Sequence, residues 1–298
     1  MPRPDSVGRM TSPAESAPAA PTQSSRPARK PRPTLDLVVV RTEQLGAHMV
    51  RVVAGGPGFG AFEDNGFTDK YVKIAFPTEL PGGAWPEGPV DLESLKQQFP
   101  REQWPVTRTY TVRSFDADAR ELALDFVVHG DEGLAGPWAA AAKPGDRLVC
   151  SGPGGAYSPV QDAEWYLFAG DESALPAIAA AIEALPAEAR GIAFLEVGSA
   201  DDVLHLAAPA GVEVRWLSRE GFPAGETLIL AEAVAGAEWL PGIPHVFAHG
   251  ERGAMKELRA VFKERGVPRE KLSLSGYWAH GRAEDQFQAE KKLPVGQI

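Results

Sequence analysis

Arg108-Thr109-Tyr110-Thr111-Val112-Arg113 stands within the run TRTYTVRSFD. On an extended strand, residues two apart project from the same face, so Arg108 and Tyr110 set a guanidinium beside a flat phenol ring. A planar, permanently charged donor set suits a pyrophosphate. An aromatic ring gives an isoalloxazine a surface to stack on, and Thr111 adds a hydroxyl for a ring nitrogen or carbonyl. The pattern therefore points to a flavin dinucleotide. The same residues also suit a half-buried strand with an aromatic on one side and solvated arginines on the other.

On both sides of this strand the chain alternates with period two. Leu35, Leu37 and Val39, then Val50 and Val52, then Val72, Ile74 and Phe76, and later Leu122, Leu124, Phe126 and Val128 form such series. Gly55-Gly56-Pro57-Gly58 and Pro81-Gly82-Gly83 break them. Short strands between glycine and proline breaks predict a small antiparallel barrel or sandwich over residues 34–160. Residues 86–104 form a polar insertion, helical around Leu92–Phe99, with no legible function. Farther on, Gly136 suits an N-cap and Pro137 the first helical position, with Pro144-Gly145 closing a short helix. The free amides at such a helix start attract anions.

From Trp165 the period changes. Apolar runs at Trp165–Ala169, Ile192–Val197, Val212–Leu217 and His245–Ala248 alternate with helical patterns at Ala174–Leu185 and Ala254–Arg265, and Lys271–Trp278 supplies a last strand. This predicts a parallel sheet with helices on both faces over residues 161–298. Ligands of such sheets sit beyond the carboxyl ends of the strands. Here those ends are Gly170-Asp171-Glu172-Ser173, Gly198-Ser199 and His249-Gly250-Glu251-Arg252. No G-x-G-x-x-G is present. Gly170 permits close backbone approach, and Ser173 suits a cap for the next helix. Asp201 and Asp202 would repel a 2′-phosphate, favouring NADH over NADPH if the adenosine ribose lies there. Glu284–Lys292 reads as a charged, solvent-facing helix.

At 298 residues and 44% hydrophobic composition the chain has room for two cores. A net charge of −10 argues against nucleic-acid binding. Residues 1–33 are rich in Pro, Ser, Ala and Arg, carry six basic against two acidic side chains, and read as a disordered basic tail. One cysteine, Cys150, sits in an apolar run and reads as an inert core thiol. No apolar run approaches a membrane span, and no secretory signal is evident, so a cytoplasmic location is expected.

In order and spacing, several blocks between about Leu35 and Arg282 resemble the siderophore-interacting protein family. They are Lys70–Pro77, Arg108–Arg113, Val128–Gly133, Trp138-Ala139, Pro144–Asp146, Gly152–Gly155, Ala169–Ile178, His249–Arg252 and Gly276–Trp278. The resemblance implies an FAD-binding barrel followed by a nicotinamide-nucleotide-binding-like domain. It implies FAD on Arg108, Tyr110 and Thr111, with His129, Gly130, Gly136, Trp138 and Ala139 around the pyrophosphate. At Gly136 the family usually carries Ser or Thr, so one hydroxyl donor is missing here. Asp171 and Ser173 fall on the nicotinamide side, and Tyr277 and Trp278 cover a cofactor ring. Lys73 is implied for the ferric chelate, with Arg252 and Arg282 as further basic candidates.

The implied reaction is reduction of ferric siderophores to release ferrous iron, with NADH or NADPH as donor and ferredoxin as a possible alternative. A cofactor that carries the chemistry needs no catalytic base or metal-ligand cluster, and the six histidines show no ligand spacing. Two other readings stay open. One is a flavin reductase feeding another redox protein, and the other a non-catalytic siderophore carrier.

Overall fold

The computed structural model describes residues 32–131 and 133–298; the tail expected over 1–33 lies almost wholly outside them. Six strands come first: β1 (Thr34–Gln44), β2 (Met49–Gly55), β3 (Tyr71–Phe76), β4 (Val106–Asp116), β5 (Glu121–Val127) and β6 (Arg147–Gly154). They close an antiparallel barrel in the order β1-β2-β5-β4-β3-β6, with β6 pairing back onto β1. The period-two residues do what alternation requires, since Leu35, Leu37, Val52, Val72, Ile74, Leu122, Leu124 and Phe126 all fill the barrel interior. Cys150 lies among them, its thiol pushed up to about 12 by burial.

The 86–104 insertion is a small satellite of the barrel. Its helix α1 (Leu92–Gln98) starts at Asp91, whose carboxylate accepts the amides of Glu93 and Ser94. Leu92 and Leu95 pack with Val90 and Leu80 onto the outer faces of Ala75 and Val149.

Helix α2 (Ala135–Ala141) starts earlier than its sequence suggests. Leu134 is the N-cap, without a side-chain cap bond, and Gly136 and Pro137 lie inside the first turn. A Cβ on Gly136 would sit 3.2 Å from the Val127 carbonyl oxygen. The glycine thus lets α2 close down on β5, and a hydroxyl side chain there would be crowded.

The second half is a five-stranded sheet. Its elements are β7 (Trp165–Gly170), α3 (Leu175–Glu183), β8 (Arg190–Val197), β9 (Gly211–Ser218), α4 (Ile229–Gly236), β10 (Pro244–Glu251), α5 (Arg252–Glu264), β11 (Leu272–Trp278) and α6 (Glu284–Glu290). All pairings are parallel, in the order β11-β10-β7-β8-β9. Helix α4 has no counterpart in the sequence reading, and no α-helix joins β8 to β9. Strand order reverses between β7 and β10, which places the switch-point crevice at their carboxyl ends.

Side chains tie the two halves together. Arg113 of β4 makes a two-pronged pair with Glu183 of α3, at 2.8 and 2.5 Å. His48, in the β1–β2 turn, donates its backbone amide to Asp202 Oδ1 at 2.9 Å, with its ring Nδ1 at 3.0 Å. Asp202 also accepts from the Ser199 amide and hydroxyl. Its carboxylate is therefore committed to the barrel contact and a cap, while Asp201 beside it is exposed. No helix among the described residues is long and apolar enough to cross a membrane.

Candidate functional site

The site begins at an unpaired strand edge. Residues 106–111 of β4 pair only with β3, because β5 joins β4 from Val112 onward. An unpaired edge presents backbone donors and acceptors, as a flavin ring edge requires. The β3–β4 register then sorts the side chains. Arg108 and Tyr110 lie opposite Ile74 and Val72, which face the barrel interior, whereas Thr109 and Thr111 lie opposite Lys73 and Tyr71, which face outward.

Arg108 and Tyr110 thus share a face, as expected, while Lys73 lies on the other with Thr109 and Thr111. The Tyr110 ring packs 4.3 Å from that of Phe126, and burial raises its phenol pKa. Arg108 donates to its neighbour's carbonyl at Thr107, and its carboxylate partner, the exposed Asp285, is 3.6 Å away. The guanidinium is thus available to an anion, and this donor set suits a flavin dinucleotide.

Across from this edge stand the carboxyl ends of β10 and β11. Burial raises the pKa of the Tyr277 phenol, against a smaller pull from Thr111. Behind Tyr277, His249 stacks on Phe247 at 3.8 Å and meets Tyr277 edge-on at 5.0 Å. The His249 Nε2 reaches the Ser273 hydroxyl at 3.0 Å, while its Nδ1 is buried without a partner. Burial lowers the imidazole to about 3, with Lys291 adding to the effect, so the ring is neutral across the physiological range.

Asp171 and Ser173, expected on the nicotinamide side, are committed to one another. Asp171 Oδ1 accepts the Ser173 amide at 2.9 Å and hydroxyl at 2.5 Å. Its Oδ2 accepts the Glu251 amide and the Trp278 indole N–H, both at 2.8 Å. The carboxylate stitches the ends of β7, β10 and β11, and Ser173 does not cap α3, whose N-cap is Ala174. Gly250 takes φ +153, and a Cβ there would meet Asp171 Oδ2 at 2.8 Å. Trp278 likewise spends its indole N–H on this carboxylate.

The remaining candidates disperse. His129 and Gly130 are exposed after β5, the His129 ring 6.2 Å from that of His48. Trp138 packs on Phe76 and Phe126 at 5.9 and 5.7 Å and walls a cleft of about 290 Å³ with Trp85. Ala139 is buried in the barrel core. Arg252 and Arg282 both donate to Glu290 of α6, at 2.5 and 2.8 Å. Helix α6 therefore does not simply face solvent, and its Phe287 is 1% exposed.

Two groups escaped sequence reasoning. Arg219, after β9, is buried between Glu172 and Glu196, with N–O distances of 2.6 to 3.3 Å. Burial raises the pKa of Glu284 of α6, against the pull of Arg108 and Lys73. No local spacing announces either cluster, because their members come from elements far apart in the chain.

An antiparallel barrel with an open edge set against a parallel-sheet crevice is the architecture of the ferredoxin-reductase-like flavoproteins. The chain belongs to the siderophore-interacting protein family. Residues 38–157 match the model of the siderophore-interacting FAD-binding domain, and residues 163–281 match that of the siderophore-interacting protein. It is 49% identical over 272 residues to an uncharacterized protein of Mycobacterium tuberculosis, covering 88% of this chain and 95% of that one. To the ferric vibriobactin reductase ViuB of Vibrio cholerae it is 33% identical over 261 residues, 85% of this chain and 92% of the relative. The solved structure of a siderophore utilization protein from T. fusca superposes with a TM-score of 0.74 at 38% identity, covering 85% of this chain and 95% of that one.

Proposed function

We propose that this protein is an FAD-dependent ferric-siderophore reductase that takes electrons from NADH or NADPH. The observation that carries the reading is the unpaired edge of β4 with Arg108 on it, whose donors suit a flavin dinucleotide. A ring held at that edge would take hydride from a nicotinamide held at the switch point of the sheet. The ferric vibriobactin reductase activity of the Vibrio relative supports the substrate class.

FAD bound there would supply the conversion from a two-electron hydride donor to one-electron acceptors. The balance is one NAD(P)H and two ferric ions giving NAD(P)⁺, one proton and two ferrous ions. Arg108 would hold the pyrophosphate, Tyr110 would offer its ring, and Thr111 would give a hydroxyl to the ring edge. Lys73, outward beside Thr109, would draw an anionic chelate toward the edge against the net negative charge of the chain. Ferrous iron binds hard oxygen ligands less tightly than ferric iron, so reduction itself releases the metal.

The test is reconstitution with FAD, anaerobic reduction with NADH and NADPH side by side, and mixing with a ferric chelate while ferrous iron is trapped by a chromogenic chelator. Flavin reoxidation with two ferrous ions released per donor is the expected result. A protein that retains flavin but reduces no chelate would overturn the reading, as would one that binds chelate without any flavin.

A further inference from the structure

Beyond residue 281, where the family match ends, helix α6 runs from Arg108 on β4 to Arg252 at the start of α5. Glu290 lies between two arginines that the sequence reading had assigned to the substrate. Arg252 donates to its Oε2 and Arg282 to its Oε1. The Arg252 and Glu290 side chains are 11% and 13% exposed. Phe287, fully buried, lies beneath both the Arg252 guanidinium and the Lys291 ammonium. At the start of the same helix Asp285 is 3.6 Å from Arg108.

The segment is also anchored beyond α6. Lys256 donates to the Val295 carbonyl at 2.8 Å, Arg259 to that of Ile298, and the Ile298 side chain packs on the core of the sheet. Such anchoring at both ends makes these carboxylates a built feature of the cleft rather than a loose terminus.

Resting on the ferric-chelate reading above, we propose that Glu290 is a specificity-determining residue that biases the site toward ferric chelates of low negative charge. It holds the chain's own carboxylate on Arg252 and Arg282, two cations that would otherwise be open to an anionic chelate. A neutral chelate has no such competitor. A trianionic one must displace Glu290 from two guanidinium groups or bind beside it, and like charges brought together across an interface suppress the wrong partner.

The experiment measures binding of a trianionic ferric tris-catecholate and a neutral ferric tris-hydroxamate to the flavin-loaded full chain, by fluorescence quenching. In Glu290→Gln, which keeps the shape of the side chain, the ratio of anionic to neutral affinity should rise about tenfold, the order expected for one partly buried charge. The double variant Arg252→Gln/Glu290→Gln, lacking both the cation and its neutraliser, should return the ratio to the wild-type value or below. A ratio unmoved by Glu290→Gln, or an equal gain for both chelates, would overturn the proposal. If chelates bind with the expected ratios yet none reoxidises reduced flavin, the reductase reading falls and the charge filter stands. If wild type reduces chelates but the ratio does not move, only the filter falls; binding of neither chelate to any variant removes both.

Discussion

The open edge of β4 and the Gly170–Ser173 turn are similarly polar in sequence, yet they spend their polar groups differently. In the turn, both oxygens of Asp171 are taken by four protein donors. At the edge, Arg108 has one partner carbonyl and a distant carboxylate, and the backbone of residues 106–111 lacks a strand on one side. A saturated group builds the fold, whereas an unspent one is free for a ligand. The comparison moves the weight of the candidate site from the turn to the strand.

Removing Asp171 should test that contrast most severely. Asp171→Ala would strand several buried donors, costing about 3 kcal/mol, or roughly 6–10 °C in Tm for a protein of this size. Thermal unfolding followed by circular dichroism checks it. A variant of unchanged Tm that fails only to bind a nicotinamide nucleotide would restore Asp171 as a ligand residue.

Arg108→Ala should do the reverse. It should lower FAD affinity by about one to two decades, the worth of a charge-assisted bidentate bond, while the flavin-free protein keeps its Tm. Flavin retained after dialysis is the readout, and a full complement would show that β4 does not anchor the cofactor.

The Arg219 cluster sharpens the comparison through pH. Burial first, then the neighbouring Asp171 charge, raises Glu196 to about 7, against the pull of Arg219. The folded state therefore binds the proton more tightly than the unfolded chain, whose carboxyl titrates near 4.5. Stability from this group is present below about 4.5 and is lost as pH rises toward about 7. Glu196→Gln should exceed wild type by a few degrees in Tm at pH 8 and match it near pH 4. A variant less stable at pH 8 would mean that the Arg219 pair outweighs burial.

The smallest effect is expected at Lys73. Lys73→Gln should weaken binding of an anionic ferric chelate by about threefold, and added salt should erase the difference because a partly exposed charge is screened over ~8–10 Å. Equal weakening of a neutral chelate would assign Lys73 to packing instead.

Sequence alone determined the barrel, the sheet and the extended strand that carries Arg108 and Tyr110. Alternation of apolar residues is a local signal, and burial of one face enforces it, so Leu35, Val72 and Leu124 could be placed without knowing their neighbours. Arg108 and Tyr110 were legible for the same reason, as two positions on one strand face. What only the tertiary structure decided was which polar groups have partners. Asp171, Asp202, Arg252 and Arg282 all resemble free ligands in the chain. Asp171 is claimed by Trp278, Asp202 by His48 and Arg252 by Glu290, all distant in sequence, while Arg282 is claimed by the same Glu290 only eight residues on. Helix α4 and the buried pairing of Arg219 were missed because their partners lie on elements distant in the chain. Hydrophobic periodicity is written along the chain, whereas the pairing of charges depends on where distant elements meet.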